Sequence, residues 1–362
     1  MNYQCSTLET KCKTHVSLDH HTTLKLAYAF IYLHLNTRFG IYKKTVTIMS
    51  IAITLLIIFV CSLVIYISSS YFVDGCLVLS QQFNLSHMFV GSTLLAIGTS
   101  MPELITSLVS WHSLGSSAFV WGNIYGSNNA NIMLIMSFII ITTPTIKWRM
   151  TSSIRFFCVL VAFYATLGFF FPTLFQYAFI GLFMILCYIV YLYVSKDGLP
   201  KKESEGNLPN ISNRAIPKSY YLLPVSFLTL TASCYIFMKQ VDVFAQLMNI
   251  SQQFLGVSVV SLSTSFPELI TSLHAVRKGA GEMILGNIIG SNMFNLFLVG
   301  GYMCMLGAGV NQEMLYNADL YFQCLTVCSV IAILSRVVYV RYIGITNFAL
   351  YLLYNYVIYV NN

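Results

Sequence analysis

The chain has 362 residues, of which 57% are hydrophobic and only 9% charged, with a net charge of +7. A soluble core has no use for so much apolar surface, whereas a membrane span needs about 20 largely apolar residues, and many such runs occur here. A string of two or three soluble domains is therefore excluded, and the basic excess points to loops flanking a bilayer rather than to nucleic acid.

Residues 1–47 read as a polar amino-terminal extension with six Lys/Arg, whose apolar run Leu26–Leu35 is too short to span. Ten spans follow, near 48–72, 85–110, 117–142, 155–172, 174–195, 219–238, 253–275, 282–306, 317–335 and 342–360. Asp319 lies at the start of the ninth. Residues 196–218, KDGLPKKESEGNLPNISNRAIPK, break the apolar pattern and read as a flexible linker. The linker separates a first five-helix half, 48–195, from a second, 219–362. Lys147, Arg149, Arg155, five linker residues, Arg277, Lys278, Arg336 and Arg341 all fall on one side of this arrangement. The opposite loops hold only Lys239. Positive residues stay cytoplasmic, so the linker is expected in the cytoplasm and both chain ends across the membrane from it.

The second half repeats the first. GSTLLAIGTSMPELITSL (91–108) pairs with GVSVVSLSTSFPELITSL (256–273), and GNIYGSNNANIMLI (122–135) with GNIIGSNMFNLFLV (286–299). The offsets are 165 and 164. Two blocks in the same order at nearly the same spacing mark an internal duplication. An odd number of spans separates the copies, so the second crosses the membrane upside down. The expected fold is thus an all-α polytopic membrane protein, ten transmembrane helices as two inverted five-helix repeats. In such architectures the substrate binds near the midplane where the halves meet. Asp74 and Asp242, near the ends of the first helix of each half, fit the duplication loosely.

Of the twelve acidic residues only Glu103 and Glu268 lie well inside spans, where a charge costs roughly 2.5–3.5 kcal/mol. No Lys, Arg or His lies at comparable depth in another span, so the natural compensator is a bound cation: one calcium or two sodium ions. Pro102 and Pro267 cannot donate to the carbonyls of Gly98 and Ser263, which predicts a loosened helix at 98–99 and 263–264. Thr99 and Thr264 lie four residues before the glutamates, and Ser100 and Ser265 add hydroxyls. In the next helix Asn123, Ser127 and Asn131, and likewise Asn287, Ser291 and Asn295, recur every four residues on one face. Oxygen donors without nitrogen or sulfur suit a hard cation. Taken singly, a proline is a kink and an Asn/Ser stripe is helix glue; their joint recurrence in both copies favours a site.

The ten cysteines form no CxxC or Cys/His cluster and read as small hydrophobes. The seven histidines, His274 among them, fall at span ends or in the extension and read as surface or interfacial groups. Trp111, Trp121 and Trp148 fall near span ends, as aromatic belts do. No GxSG, GxGD or HExxH motif supports an enzyme. No cofactor, nucleic acid or obligate protein partner is expected; the partners are the ions and the lipid bilayer.

GTSMPE, STSFPE, GNIYGSNNAN and GNIIGSNMFN resemble the GTSxPE and GNxxGSNxxN signatures of the two alpha repeats of the sodium/calcium exchanger branch of the calcium/cation antiporter superfamily. The resemblance covers about 48–360. It implies sodium/calcium antiport, with the first and sixth helices sliding over a fixed eight-helix core. It also implies that Glu103 and Glu268 are the shared carboxylate ligands and that Thr99 and Thr264 offer carbonyls. Ser100, Ser265, Ser127 and Ser291 would complete sodium sites, with Asn131 and Asn295 at the centre. Calcium/proton or another cation/proton antiport on the same fold is the alternative. Two departures stand out: Ser263 replaces the glycine matched by Gly98, and Asn295 stands where potassium-dependent relatives carry Asp, which argues against potassium cotransport. The linker is too short for a regulatory calcium-binding domain. Residence in the plasma membrane or an organelle is left open.

Overall fold

The computed structural model describes residues 20–115, 117–143, 151–196, 216–248, 260–309, 318–334 and 340–361. The linker from 197 to 215, the loop with Lys147, Trp148 and Arg149, and the beginning of the seventh span lie outside the described residues. The chain forms two compact units, residues 1–53 and 54–362. The first is described from His20 and is helical there.

Every described element is a helix. In chain order they are α1 (His20–Gln82), α2 (87–99), α3 (Met101–Leu114), α4 (Ser117–Thr142), α5 (Ser152–Phe170), α6 (Ala178–Lys196), α7 (Ile216–Leu247), α8 (Ser261–Thr264), α9 (Phe266–Arg277), α10 (Gly281–Met305), α11 (Ala318–Leu334) and α12 (Val340–Asn361). α2 with α3, and α8 with α9, are single passages interrupted near their middles, so the described helices make ten passages. Seven described helices are long and apolar enough to cross a bilayer. This is an all-α, multi-pass integral membrane protein with two inverted five-helix repeats.

Which helices face lipid follows from their sequence pattern. On α6, Phe179, Leu182, Phe183, Leu186, Ile189, Val190 and Tyr193 are exposed, while Ile180, Met184, Cys187, Tyr188 and Tyr191 are buried. Both faces are apolar, as a helix between protein core and hydrocarbon requires. From residue 54 onward α1 likewise exposes Leu55, Leu56, Phe59 and Leu63. α4 and α10 are different. Their apolar windows are 83% and 94% buried, which makes this pair the centre of the bundle. α10 approaches α2 closely because glycine lines the crossing. A Cβ on Gly290 would lie 2.6 Å from both Cα and O of Ser92.

Four sequence expectations need correction. The first helix runs to Gln82, ten residues past the expected end at 72. Asp74 does not terminate it, because its carboxylate pairs with Lys278 instead of seeking loop water. Trp121 is no interfacial residue: it is fully buried and its Nε1 donates to Ala308 O at 2.8 Å. A buried indole needs such a partner. His274 is also buried, with Nε2 3.0 Å from Tyr66 O. Last, the helix interruptions fall at Ser100 and Ser265, with φ/ψ of −92°/7° and −79°/0°, not at the preceding pairs. Each proline sits in the first turn of a new helix, where its missing N–H costs nothing.

Candidate cation-binding site

The two interruptions meet at the middle of the bundle. Thr99, Ser100, Glu103, Ser127, Asn131, Thr264, Ser265, Glu268, Ser291 and Asn295 are all buried. α3 and α9 start at this point and diverge toward opposite faces, as inversion of the repeat demands.

The bonds cross between the halves in pairs. Thr99 Oγ1 donates to Asn287 Oδ1 at 3.3 Å, and Thr264 Oγ1 to Asn123 Oδ1 at 3.4 Å. Ser127 Oγ lies 3.0 Å from Thr264 Oγ1, and Ser291 Oγ 3.5 Å from Thr99 Oγ1. Asn123 Nδ2 donates to Ser107 Oγ at 3.3 Å, and Asn287 Nδ2 to Ser272 Oγ at 3.4 Å. With the amide nitrogens turned toward those serines, the amide oxygens are aimed at the threonines of the other half. Thr264 and Ser127 flank the Glu103 carboxyl; Ser100, Thr99 and Ser291 flank that of Glu268.

The symmetry fails at the serines. Ser100 Oγ donates to Glu268 Oε1 at 2.9 Å. The corresponding Ser265 hydroxyl has no partner, and neither Glu103 carboxylate oxygen has one; Glu268 Oε2 is likewise unpartnered. Among the described residues no lysine or arginine is buried to balance these charges. An unpaired buried carboxylate costs several kcal/mol.

Asn131 and Asn295 sit in turns wider than an α-helix, at 130–136 and 294–299. Such π turns re-aim side chains and break a strict four-residue stripe. Asn131 Nδ2 donates to Asn292 Oδ1 at 2.9 Å; both polar atoms of Asn295 lack partners. Asn128 and Asn292, which the stripe argument passed over, bond reciprocally: Asn128 Nδ2 to Asn292 O at 3.3 Å and Asn292 Nδ2 to Asn128 O at 3.1 Å. They stand at matching positions of the two GSN blocks, so the duplication carried the signal that spacing alone did not. Among the described residues no cluster of three His, Cys, Asp or Glu exists. Any cation held here therefore draws on hydroxyl, amide and backbone oxygens beside the two carboxylates.

Comparison with known proteins bears on the family and the fold. The chain is 29% identical over 239 residues to an uncharacterized membrane protein of Methanocaldococcus jannaschii, covering 65% of this chain and 76% of that one. It is 27% identical over 273 residues to the sodium/calcium exchanger MaX1 of Methanosarcina acetivorans, covering 64% and 77%. A solved structure of the sodium-calcium exchanger NCX_Mj, soaked with Na+ and Ca2+, superposes with a TM-score of 0.68 at 24% identity, over 83% of this chain and 97% of that one. That likeness establishes the fold. The family model described as sodium/calcium exchanger protein matches twice, at residues 53–196 and 218–360, once for each repeat. Two matching halves built around one shared pair of carboxylates place the chain in the sodium/calcium exchanger family.

Proposed function

We propose that the chain is a secondary antiporter that exchanges sodium for calcium across its membrane by alternating access. The ions are its substrates, and Glu103 and Glu268 carry the charge that both ions compete for. One observation carries the reading: two buried carboxylates, one from each inverted half, hold three oxygens without a partner, and among the described residues no buried lysine or arginine stands beside them. Two negative charges match one calcium or two sodium ions. In this reading Ser100, Ser127, Ser265 and Ser291 give hydroxyl oxygens, Thr99 and Thr264 give carbonyls, and Asn131 and Asn295 face the centre. Residues 48–195 and 219–362 act as the two repeats, joined by the linker at 196–218. The relative named as a sodium/calcium exchanger supports the choice of ions.

The test is radiocalcium uptake by proteoliposomes driven by an outward sodium gradient. Uptake with the native chain, and background uptake with Glu103→Gln, are expected. Absence of uptake, or unchanged uptake in the variant, would reject the proposal. Uptake driven by a pH gradient without sodium would replace sodium by the proton as coupling ion.

A further inference from the structure

α3 and α9 are matching half-helices that leave the site toward opposite faces, and their outer ends are built differently. At the end of α9, three basic residues grip α1. Lys278 forms an ion pair with Asp74, and its Nζ also donates to Ser70 O at 3.3 Å. Arg277 Nη1 donates to Tyr66 Oη at 2.7 Å. His274 is 3.0 Å from Tyr66 O, with the two rings 4.7 Å apart. Three positions of α1, Tyr66, Ser70 and Asp74, spread over two turns, are held at once.

At the offset of 165 the matching residues of α3 are Val109, His112 and Ser113. None is a lysine or arginine. Between α3 and α7 lies a cavity of about 270 Å³, lined by Thr106, Val109, Ser113, Met238 and Asp242 among others. Among the described residues no ion pair joins α3 to α7. Asp242 accepts from Gln246 on its own helix at 3.1 Å, and Lys239 lies over the Tyr235 ring, also on its own helix. The floor of the cavity is a contact between Thr106 Oγ1 and Met238 Sδ, one turn beyond Glu103. The same junction thus holds a cavity on one face and is strapped by side-chain contacts on the other.

We infer that His274, Arg277 and Lys278 are a latch, which holds α1 against α9 and closes the ion path on that face while the cavity beside Met238 leaves the opposite face open. The inference rests on the alternating-access reading above. The charges that differ between the two ends set which face is open more of the time. Removing the Lys278 charge frees α1 and shifts the chain toward the state open on the latched face. Lys278 is 23% exposed and Asp74 51%, so water screens the pair and the population shift is modest, about two- to five-fold.

The experiment reads that shift without transport. Val109→Cys, in the cavity wall, is labelled with a membrane-impermeant maleimide in proteoliposomes, over the background of the native chain. The labelling rate is expected to fall about two- to five-fold when Lys278→Met is added. It is expected to return when Asp74→Lys and Lys278→Asp are combined, which restores the pair with its charges exchanged and separates the latch from a folding defect. An unchanged rate with Lys278→Met, or a lowered rate that the exchanged pair does not restore, would overturn the latch. A restored rate in a chain that shows no sodium-driven calcium uptake would reject the exchange reading and leave the latch standing.

Discussion

Gly98 is pressed from two sides, and replacing it by alanine tests whether the first helix of each half bears on the site. A Cβ at Gly98 would lie 2.5 Å from Cε1 and Cζ of Phe72 on α1, and 3.3 Å from Cδ2 of Phe227 on α7. Carbon atoms rest at about 3.5–4.0 Å, so the Phe72 ring must retreat by about 1 Å. It has little room, because it is 1% exposed and its centroid is 5.9 Å from that of Phe227. Overpacking of this kind costs about 1–3 kcal/mol. Gly98→Ala is expected to lower the melting temperature of the detergent-solubilised protein by several degrees and to slow calcium uptake, since α1 is pushed off α2. Adding Phe72→Leu empties the contested space. The double variant should then be less destabilised than the sum of the two singles, with a coupling above about 0.5 kcal/mol. Ser263→Ala, at the matching position where a side chain already stands, adds no bulk and should destabilise less than Gly98→Ala. A Gly98→Ala protein that melts with the native chain, or singles that simply add, would refute the reasoning.

The broken symmetry of the serines predicts a contrast. Ser100→Ala removes a hydrogen bond to a buried carboxylate and should cost about 1.5–3 kcal/mol in thermal unfolding, while Ser265→Ala, which deletes an unpartnered hydroxyl, should leave stability unchanged and alter only the concentration of calcium at half-maximal uptake. Equal melting of the two variants would contradict this. At Gly290 the obstacle to a Cβ is Ser92 backbone rather than a movable ring. Gly290→Ala should therefore destabilise more than Gly98→Ala, read as a lower melting temperature and a lower yield of monodisperse protein.

The duplication made much of this legible. Matching segments at offsets of 165 and 164 mark the duplication, the odd number of spans between them gives the inversion, and charge inside apolar spans singles out Glu103 and Glu268. Other features depend on what each residue meets. Trp121 has the sequence neighbourhood of a belt residue, and the carbonyl that accepts from its indole inside the bundle belongs to Ala308, far along the chain. Asp74 looked like a helix end because its partner Lys278 lies in the other half. The π turns at 130–136 and 294–299 leave no trace in residue type, since they arise where α4 and α10 pack at the crossing. The inequality of Ser100 and Ser265 is likewise invisible in two serines placed alike before the same PEL.

The bond between Asn128 and Asn292 runs both ways, each amide giving its proton to the other residue's carbonyl. Reciprocity of this kind, residue i to j and j to i, is the mark of an isologous contact between identical subunits. Here both subunits are one polypeptide, and the local dyad that relates them passes between α4 and α10. A dimer would be obliged to change both asparagines together, because one gene would encode them. Fusion into a single chain lifts that obligation, so each half is free to diverge from its twin while the dyad at the crossing keeps them in register.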